Sequence, residues 1–257
     1  MNEKLSRSVA GKVTVITGAA SGMGRATAGV FADEGAPLIL LDRSTDALAE
    51  VVDRLRGDGA TVWAAAVDLT ERGDVEAAME QARSQTGPVA ILVNNAGIST
   101  LAAVDSPDLD REWERVMAVN LEAAMAMIRL SLDDLKQVDG GRIVNIASTE
   151  GLGATRGILP YTVSKHGVIG LTRAVAMDLG RTGVTCNCIC PGPIDTGMTE
   201  PIPAETRAAF ARRRVPLGRY GTPEEVAHAV LSLALPASSF INGAILCVDG
   251  GLMVQNT

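Results

Sequence analysis

The stretch that most constrains this chain is Lys12-Val13-Thr14-Val15-Ile16-Thr17, joined directly to Gly18-Ala19-Ala20-Ser21-Gly22-Met23-Gly24. The first run is apolar and β-branched, the pattern of a buried strand, and the glycines then turn the backbone into a helix. Glycines let the main chain approach a pyrophosphate, and the first turn of the next helix offers unpaired amides and a positive dipole end. The spacing is G-x-x-x-G-x-G, not the G-x-G-x-x-G of the common dinucleotide fingerprint. A second apolar strand, Pro37 to Leu41, supports the dinucleotide reading, because it ends in Asp42, which is 42 − 18 = 24 residues after the first glycine. A carboxylate there accepts from a ribose diol and repels a 2′-phosphate. The expected dinucleotide is therefore NAD, cradled by Gly18, Ser21, Gly22, Met23 and Gly24 and fixed by Asp42.

Tyr161 and Lys165 stand four residues apart, with Ser148 thirteen positions upstream. Residues i and i+4 share a helix face, so phenol and ammonium are predicted to lie side by side. Lowering a phenol from about 10 to about 7 takes roughly 4 kcal/mol. A unit positive charge about 4 Å away supplies that much at an effective dielectric of about 20. Tyr161 is then the expected general acid and base, with Ser148 binding the substrate oxygen. Burial of the phenol opposes this shift, so the reading requires the charge of Lys165 to dominate.

Strand patterns recur near 13–17, 37–42, 61–67, 90–94, 141–147, 184–190 and 244–248, with helical patterns between them. Runs such as Ile39-Leu40-Leu41 and Ile91-Leu92-Val93 are continuously apolar, as parallel strands covered on both faces must be. The fold class predicted is α/β: one doubly wound, mostly parallel seven-stranded sheet with helices on both faces, in one domain over residues 1–257. Long helices are expected from Arg111 to Val138 and from Tyr161 to Arg181. Val116, Val119, Met127, Ile128, Val168, Leu171 and Val175 make these helices apolar on several faces. A second subunit would cover the outer face.

In this order and spacing the segments resemble the short-chain dehydrogenase/reductase family, in its single-domain Tyr-x-x-x-Lys branch, from about Gly11 to Gly251. The resemblance implies a Rossmann-type fold and an NAD-dependent secondary alcohol dehydrogenase or ketone reductase. It adds Asn120 to the catalytic set, ordering a water that leads from Lys165 to solvent, and gives Lys165 a second task of holding the nicotinamide ribose. By the same resemblance Asp68 and Leu69 border the adenine, Asn94, Ala96 and Gly97 lie in the turn after the fourth strand, and Pro191, Gly192, Ile194 and Thr196 hold the nicotinamide amide. It also implies pairing into a homodimer or homotetramer.

The substrate is expected under a lid spanning about 193–215, with Met198, Ile202, Leu152, Ile98 and Leu159 forming apolar walls. Glu150 either hydrogen-bonds a polyol or amine, or points to solvent. Arg212-Arg213-Arg214 is either a greeting for an anion or a solvated face. Two other functions remain open: a 3-oxoacyl-thioester reductase, which would favour NADPH and for which Arg43 is available, and a dinucleotide-binding scaffold or redox sensor without turnover. A net charge of −7 argues against nucleic acid. Met1 to Ala10 contains no apolar leader core, and no run approaches the roughly 20 apolar residues of a membrane span, so a cytoplasmic protein is expected. Cys186, Cys188 and Cys190 alternate along one strand face, and with Cys247 they read as buried apolar residues rather than zinc ligands. His166 and His228 have no partner at metal spacing, and no metal is expected.

Overall fold

The computed structural model describes residues 6–254; Met1 to Leu5 of the leading segment lie outside them. Seven strands form a single sheet: β1 Thr14–Thr17, β2 Leu38–Asp42, β3 Val62–Ala66, β4 Ile91–Asn94, β5 Arg142–Ile146, β6 Thr185–Pro191 and β7 Ile245–Val248. Their order is β3-β2-β1-β4-β5-β6-β7, and every neighbouring pair is parallel. Parallel strands need helical crossovers. These are α1 Gly22–Asp33, α2 Thr45–Gly57, α3 Arg72–Thr86, α4 Leu109–Met117, α5 Ala123–Gln137, α6 Leu159–Leu179, α7 Ala204–Arg214 and α8 Pro223–Ala234.

Side chains alternate across the sheet into two cores. On one side Ile16, Leu38, Leu40 and Val93 pack with Phe31, Leu48, Val52 and Val230 under α1, α2 and α8. On the other, Val15, Ile39, Leu41 and Leu92 pack with Met79, Met127, Leu135 and Leu179 under α3, α5 and α6. The strand order reverses between β1 and β4, and the C-terminal ends of the strands open a crevice there.

Three details depart from expectation. The helix expected over 111–138 is two helices joined by a π-helical turn, Ala118–Glu122, centred on the buried Asn120. Such one-turn widenings collect at functional sites, and the Asn120 side chain here bonds out of the helix to Ile98 and Ser164. Cys247 is exposed because β7 is an edge strand, while Cys186, Cys188 and Cys190 are buried as predicted. Finally, Val116, Met127, Ile128 and Val168 are buried within this chain, so they leave nothing for a partner to cover. Large apolar side chains left exposed on α4 and α6 are instead Trp113, Val163 and Met177, the last 83% exposed, with Phe240 and Leu246 near the β7 edge.

Candidate active site

The glycine turn is fixed by the next strand over. Thr17, the last residue of β1, accepts at Oγ1 from the amides of Asn95 and Ala96, both at 3.0 Å. Asn95 Nδ2 in turn donates to the carbonyls of Thr17 at 2.9 Å and Gly18 at 3.1 Å. A Cβ on Gly24 would lie 2.0 Å from the Gly18 carbonyl oxygen, so the helix seats on the turn only with glycine there. Gly18 combines φ +64° with a close approach to Ala96. Asp42 completes the wall: Oδ2 accepts from the Ala20 amide at 2.9 Å and Oδ1 from the Ser44 amide at 3.0 Å. Each oxygen keeps acceptor capacity.

These groups line one cleft of about 280 Å³. Gly18, Ser21, Gly22, Met23, Asp42, Asp68 and Leu69 form one end of it, joined by Ala96 and Gly97. Tyr161, Lys165, Thr196 and Met198 form the other end. Asp68 accepts from the amide and hydroxyl of Thr70, which hold its carboxyl below the usual range, with Arg43 adding to the effect. Asn94 is elsewhere. It is buried beneath the cleft, donating to Asn145 Oδ1 at 2.9 Å, because it ends β4 pointing into the sheet while Asn95 turns outward. Pro191, Gly192 and Ile194 also lie back from the cleft: a Cβ on Gly192 would meet Asp249 Cα at 2.8 Å, and Ile194 belongs to the apolar core. Only Thr196 of that segment reaches the opening.

At the Tyr161 end β5 stops at Ile146, and Ser148 caps the 3₁₀ turn Thr149–Gly151, its Oγ accepting from the Glu150 amide at 3.1 Å. That turn packs hard on α6: a Cβ on Gly151 would lie 2.8 Å from the Lys165 carbonyl oxygen. The contact brings Ser148 beside Tyr161. Lys165 is 3% exposed and donates from Nζ to the Ile146 carbonyl at 2.9 Å, with Nζ 5.6 Å from the centroid of the Tyr161 ring. Burial brings its ammonium down to about 8. Burial likewise dominates at Tyr161 and raises its phenol above the ordinary value. The Ser148 hydroxyl pulls the other way, and the charge of Glu150 and the Cys190 thiol push it further up. The expectation that Lys165 outweighs burial is overturned for the chain by itself, because a lysine that loses its own proton near 8 supplies little positive charge above that pH.

Asn120 is 2% exposed and fully engaged. Oδ1 accepts from the Ile98 amide at 2.8 Å, and Nδ2 donates to the Ile98 carbonyl and to Ser164 Oγ, both at 2.9 Å. Ser164 Oγ donates to the Tyr161 carbonyl at 2.7 Å, so Asn120 is tied to the catalytic helix through Ser164. Glu150 neither points freely to solvent nor offers a free carboxylate, since Thr155 and Thr162 occupy it. Leu152, Met198 and Ile202 are 39%, 51% and 38% exposed. Arg212 to Arg214 are solvated, and Arg207 anchors α7 by a 2.7 Å ion pair to Asp195. Thr17 and Asn95 stand in the two turns that the sequence pointed to, but the bonds by which they pin the glycine turn were not legible, and Ser164 was not legible as a site residue at all. Among the described residues no cluster of three or more His, Cys, Asp or Glu is placed to hold a metal, and no helix is long and apolar enough to cross a membrane.

The all-parallel sheet, the glycine turn at its crevice and the Ser–Tyr–Lys group beyond β5 define an oxidoreductase-type α/β domain. The family model described as enoyl-(acyl carrier protein) reductase matches residues 18–253. A 3-oxoacyl-acyl-carrier-protein reductase from Thermotoga maritima is 37% identical over 244 residues, covering 95% of this chain and 98% of that protein. The meso-2,3-butanediol dehydrogenase of Serratia marcescens is 39% identical over 240 residues, covering 93% and 94%. A solved structure provisionally described as an NAD(P)-dependent gluconate 5-dehydrogenase from Beutenbergia cavernae, with NADP bound at low occupancy, superposes with a TM-score of 0.90 at 36% identity, covering 97% and 99%. The chain belongs to the short-chain dehydrogenase/reductase family, a family of oxidoreductases.

Proposed function

We propose that this chain is an NAD-dependent oxidoreductase interconverting a secondary alcohol and a ketone, with Tyr161 as the group that exchanges the proton. The observation that carries the reading is one cleft joining Asp42 and the glycine turn to Tyr161 and Lys165. The residues fit a nicotinamide dinucleotide: the Gly18–Gly24 contact leaves bare backbone at the turn, and Asp42 sets a carboxylate where a ribose diol is accepted and a 2′-phosphate repelled. When bound, the nicotinamide supplies the hydride chemistry and, when oxidised, a positive charge. Tyr161 takes the alcohol proton at its phenolic oxygen, or returns it to the ketone. Ser148 donates to the substrate oxygen as it gains or loses carbonyl character. Lys165, held by the Ile146 carbonyl, and Asn120, held by Ile98 and Ser164, fix the phenol's surroundings. The lid is residues 193–215, braced internally by the Asp195–Arg207 pair.

A 3-oxoacyl-thioester reductase is the second reading, favoured by Arg43 at the cleft wall and by the Thermotoga maritima relative. Titration with NADH and NADPH, then a panel of alcohols, ketones and 3-oxoacyl thioesters followed at the reduced-nicotinamide absorbance, separates the two. No turnover on any of them leaves a binding scaffold. The same reading includes a homodimer or homotetramer in the cytoplasm, supported by the exposed Met177, Phe240 and Leu246.

A further inference from the structure

Ser164 stands between Tyr161 and Lys165 on α6 and is completely buried. A serine hydroxyl has one proton to give and lone pairs to accept with, and here both capacities are committed. Oγ donates to the Tyr161 carbonyl at 2.7 Å and accepts from Asn120 Nδ2 at 2.9 Å. In an α-helix the amide of residue i bonds to the carbonyl of residue i−4, so the carbonyl that Ser164 reaches is also the acceptor for the Lys165 amide. One hydroxyl therefore sits at the point of the backbone where Tyr161 and Lys165 are joined.

The direction of each bond is forced. Asn120 Oδ1 is taken by the Ile98 amide at 2.8 Å, and one Nδ2 proton goes to the Ile98 carbonyl at 2.9 Å. The second Nδ2 proton meets Ser164 Oγ, which must then turn its own proton to Tyr161. Turning the Asn120 amide over would set oxygen against oxygen and donor against donor at Ile98, so the circuit has one arrangement. Neighbouring backbone closes on it: a Cβ on Gly97 would lie 3.3 Å from Lys165 Nζ and 3.4 Å from Asn120 Oδ1. Gly97, Ile98, Tyr161 and Lys165 all line the cleft. The path from Ile98 through Asn120 and Ser164 to the Tyr161 carbonyl thus joins two of its walls.

Resting on the alcohol–ketone reading above for its kinetic consequences, we infer that Ser164 is a positioning residue: acting through Asn120, it holds the Tyr161–Lys165 turn of α6 in register with the Gly97–Ile98 wall. Being fully buried, it meets neither substrate nor dinucleotide, and its influence on turnover passes through its two bonded partners. Loss of the hydroxyl would leave a buried N–H of Asn120 without an acceptor, a costly state that the side chain relieves by moving. Movement of Asn120 releases the Ile98 amide, and the phenol shifts relative to what that wall holds.

The test uses Ser164→Ala, which deletes one oxygen and leaves a good helix former in place, so the fold survives. In the chain without dinucleotide, hydrogen exchange at the Ile98 amide should quicken about tenfold, while the Val93 amide in β4 keeps its protection. In oxidation of cyclohexanol and 2-butanol with NAD, kcat should fall about tenfold and the KM for the alcohol should stay within about twofold, the pattern of a lost alignment in the transition state. Adding Ser164→Ala to Asn120→Ala should cost little more, since both substitutions open the same circuit. Unchanged exchange at Ile98, wild-type kcat in Ser164→Ala, or strictly additive losses in the double variant overturns the inference. Wild-type inactivity on both alcohols would count against the alcohol–ketone reading alone, because exchange at Ile98 is read without substrate and decides the linkage from Ser164 to that wall by itself.

Discussion

The ammonium of Lys165 is bonded to the carbonyl of Ile146, not to the phenol of Tyr161, whose ring centroid lies 5.6 Å away. That bond stitches the catalytic helix to the end of β5 and buries the lysine. One consequence is thermodynamic. Lys165 titrates near 8 in the folded chain, against 10.5 for a lysine in water, so between those values the unfolded chain binds the more protons. Stability contributed by this group therefore rises with pH across that window. In Lys165→Met the slope is removed, and its stability relative to wild type should be highest below about 8 and decline toward 10.5. Urea unfolding of both proteins across the range checks it; parallel curves would show that burial leaves the proton affinity of Lys165 unchanged.

Cofactor choice rests on Asp42. Its carboxylate sits at the cleft wall bonded to the Ala20 and Ser44 amides. NADH should bind more tightly than NADPH. Asp42→Ala should narrow the difference by at least about tenfold, roughly 1.4 kcal/mol, with Arg43 then free to meet the 2′-phosphate. Fluorescence titration with both dinucleotides decides, and tighter NADPH binding by the native chain would remove Asp42 from the ribose.

Assembly depends on what this fold leaves uncovered. Val168 is 2% exposed, so charge placed there would unfold the core and report nothing about a partner. Met177 is the better probe. Light scattering should give a mass at least double that of the 26.7 kDa chain, and Met177→Asp or Phe240→Asp should lower it without shifting the thermal midpoint of the separated subunit. A wild-type mass of one chain at micromolar concentration would contradict oligomerisation.

The strands were legible to within a residue or two because apolar residues predominate in each, as in β2 and β4, and the central strands of a sheet covered on both faces tolerate few polar exceptions such as Asn145 and Asn187. Ser148, Tyr161 and Lys165 were legible because their chemistry needs those groups at that spacing. Balances of opposing effects were not. The sign of the shift at Tyr161 depends on how deeply the phenol is buried and on which carbonyl Lys165 finds, and neither is written in the i, i+4 spacing. The π-helical turn that interrupts the expected long helix is centred on Asn120, whose side chain bonds to Ile98, a partner 22 residues away that helix periodicity does not point to. Glu150 left both its options because the demand for an acceptor came from Thr155 and Thr162, in a loop whose path the sequence does not specify.

Proton exchange at Tyr161 is tested by the turnover of Tyr161→Phe on a substrate the wild-type protein accepts, alongside dinucleotide binding by the same variant. The substitution keeps the ring and its packing and deletes the one oxygen proposed to exchange a proton. Turnover should fall by roughly 10² to 10⁴, the loss typical of a missing general acid or base, while NAD affinity stays within about twofold, below about 0.5 kcal/mol. In the wild type, alcohol oxidation should accelerate with rising pH with a midpoint below about 10, the positive charge of the oxidised nicotinamide offsetting the burial that raises the phenol in the chain alone. Undiminished turnover by Tyr161→Phe would show that the proton passes through some other group.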